Sequence, residues 1–83
     1  MEKSVTSEDY KVLLACLKEA REGAGLTQIE VAERLGLSQS QVSKCERGER
    51  RVDVIELREW CRAIGIGLPA FLRTLERHLH QIE

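Results

Sequence analysis

Apolar residues recur three and four apart along this chain, in segments separated by glycines and by short polar caps. Tyr10, Leu13, Leu14, Leu17, Ala20 and Ala24 put a stripe on one side of a helix that ends near Gly23. Ser7 or Thr6 can cap it, and Glu8 and Asp9 suit its positive end, leaving Met1 to Thr6 as a frayed terminus. Leu26 plugs the core before a second helix, which starts at Thr27 and runs to about Leu35. A third runs from Ser38 to about Arg47. Asp53 with Glu56 opens a fourth, carrying Val54, Leu57, Cys61 and Ile64 inward, with Trp60 partly covered nearby. Gly65 and Gly67 break the chain, and Pro69 fits the first turn of a fifth helix, where its missing N–H costs nothing.

In that last segment Leu68, Leu72, Leu75, Leu79 and Ile82 alternate by four and three, with Phe71 on the same side. Two heptads are too short for a coiled coil on their own. Leu68, Phe71 and Leu72 are expected in the core, and Leu75, Leu79 and Ile82 are left for a second copy of the chain. The plainer alternative packs the whole stripe on the first helix. The pattern therefore predicts one domain over residues 1–83: all-α, a compact five-helix bundle, with 68–83 as a candidate dimerisation element.

The densest signals lie between Thr27 and Gly48. Thr27 with Glu30, and Ser38 with Gln41, each have capping-box spacing, and Gly36 between them can turn sharply in the left-handed region. Val31, Ala32, Leu35, Leu37, Val42 and Cys45 fall on the facing sides of two short helices. Gln39, Ser40, Ser43 and Lys44 remain on an outer face that is polar and mostly uncharged. Such a face suits a surface with hydrogen-bonding edges.

Composition narrows this in one respect. The net charge of the 83 residues is −1, so no global basic footprint of nucleic-acid binding exists. A local patch does, in Lys44, Arg47, Arg50 and Arg51, diluted by Glu46 and Glu49. The three cysteines, Cys16, Cys45 and Cys61, are far apart and sit in apolar patterns, which predicts buried free thiols. They form neither a disulfide framework nor a zinc motif. His78 and His80 point different ways on a helix, and no nucleophile, base and orienting group come together, so catalysis is not expected. Cofactor, metal and small-molecule ligand are not expected either. A secretion signal and a membrane span are also missing from the pattern, and a cytoplasmic protein is expected.

Gln28 to Arg47 resembles the helix-turn-helix of the phage-repressor and Cro-like family, often called XRE. The resemblance rests on Ala32, Gly36, the apolar set around them, and the E-x-G of Glu46 and Gly48. It extends outward to Leu17–Arg21, Gly25–Gln28 and the helix after Asp53. Cys45 departs from the family pattern, which usually has a larger apolar or aromatic residue there. The resemblance implies a regulator that binds double-stranded DNA with the helix after Ser38 in the major groove. Ser38, Gln39, Ser40 and Lys44 would then read bases. Gln28, Ser43, Arg47, Arg50 and Arg51 would contact phosphates, with Gln28 also bracing Gln39. A palindromic operator and a homodimer are implied, as is a buried ion pair between Arg21 and Glu46. The alternative class is a protein-interaction or antitoxin-like module of the same fold, without specific DNA binding.

Overall fold

The computed structural model describes residues 7–82, with side chains placed for residues 7–80. Five α-helices follow in order: α1 Glu8–Gly23, α2 Gln28–Leu35, α3 Gln39–Glu46, α4 Val54–Ile64 and α5 Leu68–Ile82. The starts of α1 to α4 each agree with a cap. The Ser7 side chain accepts from the Tyr10 N–H, and α2, α3 and α4 each carry a reciprocal box, Thr27 with Glu30, Ser38 with Gln41, and Asp53 with Glu56. Such caps contribute about 1 kcal/mol each, a large fraction for an eight-residue helix that propensity alone could not hold. The Thr27 backbone N–H donates to Glu30 and holds that carboxyl below the usual carboxylate range. Gly36 ends α2 at φ 72°, a conformation that a side chain would strain, and the next residues enter α3 at once.

Leu17, Val31, Val42, Cys45, Cys61 and Trp60 form the best-covered part of the core, with Leu57, Ile64 and Phe71 around them. Trp60 is buried outright rather than partly covered. It lies one turn from Leu57 and Ile64, so its own face of α4 is the inner one. Val54 departs from expectation in the opposite sense. It stands at the first position of α4, ahead of the packed turns, and is 61% exposed. Ala24 is likewise exposed, because α1 ends there and its N–H turns back to the last carbonyls. On α5 the order of the stripe is altered: Phe71 is buried and Leu75 packs against the core, whereas Leu72 is exposed. Adjacent residues point about 100° apart on a helix, so with Phe71 inward Leu72 falls outside. Met1 to Thr6 and the side chain of Ile82 lie outside the described residues.

Two features lock the loop between α3 and α4. The Tyr10 hydroxyl accepts the buried Val52 N–H at 3.0 Å, tying α1 to the loop. Gly48 is buried at φ 82°, with the Leu14 Cδ1 3.2 Å from where a Cβ would stand. Any side chain there would meet both strain and crowding, so the E-x-G glycine is set by packing as well as by backbone.

Candidate nucleic-acid interface

α3 sits against α2 with Val42 and Cys45 inward. Its outward side therefore carries Gln39, Ser40 and Lys44, all exposed, with Ser43 half-buried beside them. Ser38 caps the helix, accepting from the Gln41 N–H at 3.1 Å, while the Gln41 side chain accepts from the Ser38 N–H at 2.9 Å. The N-terminal turn of α3 is thus a rigid platform for short polar side chains.

Gln39 is held from beneath. Its Nε2 donates to the Gln28 Oε1 at 2.6 Å, and the Gln28 Nε2 donates to the Glu46 Oε1 at 2.9 Å. Glu46 in turn receives the Arg21 guanidinium, Nε at 2.6 Å and Nη2 at 3.2 Å. The side chains of Arg21 and Glu46 are 8% and 4% exposed. Arg21 also donates from Nη1 to the Leu26 carbonyl at 2.8 Å, which pins the α1–α2 connection. A single polar thread thus runs from α1 through the interior to the outer face of α3.

The loop arginines are positioned but not idle. Arg47 donates to Glu49 at 2.9 Å and to the Ser43 hydroxyl, and it holds the Glu49 carboxyl below its usual range. Arg50 reaches Glu56 at 3.2 Å and the Cys45 sulfur at 3.6 Å, covering the small residue in the core. The Arg51 guanidinium lies 4.5 Å from the centre of the Tyr10 ring, in cation–π range. Much of the basic patch is therefore neutralised within the protein. Both ion pairs are exposed and screened by solvent, so a phosphate can replace the carboxylate at small cost.

No pattern along the chain signals these cross-loop partners. Arg50 and Glu56 are six apart across a bend, and Arg51 and Tyr10 are joined by the fold alone. Burial raises the Cys16 and Cys61 thiols above their ordinary value, so both stay protonated near neutral pH. Among the described residues, no group of His, Cys, Asp and Glu side chains could hold a metal ion. No described helix is long and apolar enough to cross a membrane.

Residues 17–71 match the helix-turn-helix family model. The chain belongs to the helix-turn-helix family, in its XRE type. An XRE-family-like protein from Pseudomonas syringae pv. tomato DC3000 is 53% identical, with a TM-score of 0.79 over 84% of this chain and 85% of that one. A 46-residue stretch is 48% identical to an uncharacterized HTH-type transcriptional regulator, y4dJ, of Sinorhizobium fredii. It covers 55% of this chain and 60% of that relative, under two thirds of its length. The restriction-modification controller protein C.Esp1396I, in its tetramer bound to a 35 base-pair operator, shares the fold. Its TM-score is 0.78 at 21% identity, over 86% of this chain and 93% of that one.

Proposed function

We propose that this XRE-type domain is a sequence-specific, DNA-binding transcriptional regulator. It acts in the cytoplasm by occupancy of a palindromic operator as a homodimer, as a binding protein and not an enzyme. The observation that carries the reading is the outer face of α3, rigidly capped, exposed and polar, with Gln39 braced from within. In this reading Ser38, Gln39, Ser40 and Lys44 meet base edges in the major groove, and Arg47, Arg50 and Arg51 follow the backbone. Ser43 adds a phosphate contact. Gln28 keeps one N–H beyond its two internal bonds, enough for a phosphate at the start of α2. Leu75, Leu79 and Ile82 supply the dimer contact. Leu75 gives part of its side chain to the core, and the exposed Leu72 extends the strip. The operator-bound tetramer of C.Esp1396I supports the view that copies of this fold assemble on DNA.

Replacing Gln39 with Ala should relax preference at one base pair and cost about 1–3 kcal/mol on the preferred site. A panel of duplexes varied at single positions measures this. Equal weakening on every duplex would make Gln39 a phosphate contact instead. The internal pairing of Arg47 and Arg50 favours one other reading, a protein-interaction module of the same fold. Such a module would show no preference among duplexes.

A further inference from the structure

An amide side chain has two ends of nearly the same shape, one a donor and the other an acceptor. What Gln39 offers to a base therefore depends on which end is already spent inside the protein. Its Nε2 is spent on the Gln28 Oε1, and the Gln28 Nε2 is spent on the Glu46 Oε1. Nothing in either glutamine dictates that order. Glu46 does, because a carboxylate forked to a guanidinium can only accept.

We propose that Glu46 is a specificity-determining positioning residue, which sets the polarity of the Gln28–Gln39 amide relay and so selects adenine over guanine. The inference rests on the reading that Gln39 faces a base. Glu46 forces Gln28 to turn its NH2 inward and its carbonyl toward Gln39. Gln39 must then give one N–H to that carbonyl. Its Oε1 and second N–H stay outward, an acceptor and a donor side by side. Adenine offers the complement in the major groove, a donor at N6 and an acceptor at N7. Guanine offers O6 and N7, both acceptors, and would set O6 against the Gln39 oxygen. With the relay reversed, Gln39 would present only N–H groups outward, and the preference for adenine would vanish. The buried Arg21–Glu46 pair, which no nucleic acid could touch at 8% and 4% exposure, thereby takes part in reading sequence.

The test compares affinities, at one salt concentration, for duplexes bearing A or G at the position that Gln39→Ala identifies. Wild type should favour A by about 5–150-fold, the range of a good bidentate contact. Glu46→Gln, which keeps the shape but supplies an amide of either polarity, should bring the ratio near one while leaving the salt dependence of binding unchanged. If that variant fails to fold, the double variant Arg21→Met with Glu46→Leu removes the charges together and should give the same loss. A folded variant without Glu46 that keeps the wild-type ratio overturns the relay alone. A wild type without base preference overturns both the relay and the reading of Gln39.

Discussion

Arg21→Ala should lower the stability of this domain by about 3–5 kcal/mol, the cost of leaving one charge of a buried pair uncompensated. For a chain of this size that is a fall in melting temperature of at least about 12 °C. The magnitude follows from where the pair sits. The Glu46 side chain is 4% exposed at the end of α3, and the Arg21 fork at 2.6 and 3.2 Å supplies the charge that justifies its burial. Without the guanidinium, the carboxylate keeps only the Gln28 amide. The Leu26 carbonyl also loses its donor, so the α1–α2 connection loosens in the same step. Thermal unfolding followed by circular dichroism measures the shift. Substituting both partners with apolar residues should cost far less than Arg21→Ala, since a buried pair replaced whole by well-packed groups is often neutral. A negligible change for the single variant would contradict the account of the pair.

The salt dependence of duplex binding is the second large effect. In the proposed binding mode Arg47, Arg50 and Arg51 make three phosphate contacts per protomer and six in a dimer. The logarithm of affinity should then fall with the logarithm of salt at a slope of about −5, near 10³-fold between 50 and 200 mM. The net charge of −1 makes this a local property of one face. Arg47 and Arg50 must first leave Glu49 and Glu56, but those exposed pairs are weak enough to yield. A titration by fluorescence anisotropy gives the slope. A value near half would signal a monomer on the DNA, and a flat line would contradict phosphate contact by these arginines.

Local rules were written plainly in the chain. Thr27 with Glu30, Ser38 with Gln41 and Asp53 with Glu56 are short-range devices, readable without the fold, and each forms its box. Gly36 takes the left-handed turn that its place between two helices requires. Periodicity was less exact about which residue leads a stripe. Leu57, Trp60, Cys61 and Ile64 make a complete inner face of α4 without Val54, which stands ahead of them at the first position and is exposed. On α5, an apolar strip wider than the contact left open which edge faced inward; Phe71 is buried in the contact and Leu72 lies at its exposed edge. The amide thread through Gln28 and Gln39 was legible only from the family resemblance. The buried pair of Arg21 and Glu46 was legible in the same way, but the bond that joins the two, from Gln28 to Glu46 across 18 residues, needed the fold. The same holds for Tyr10, whose hydroxyl finds Val52 across 42 residues.

The proposed function has α3 read sequence in the major groove, with two copies reading it together. Selection of bound fragments from a random duplex pool tests this most directly. The expected result is enrichment of two half-sites related by a dyad, centred about 34 Å apart, with adenine at the position assigned to Gln39. A bound pool as random as the starting one would contradict it.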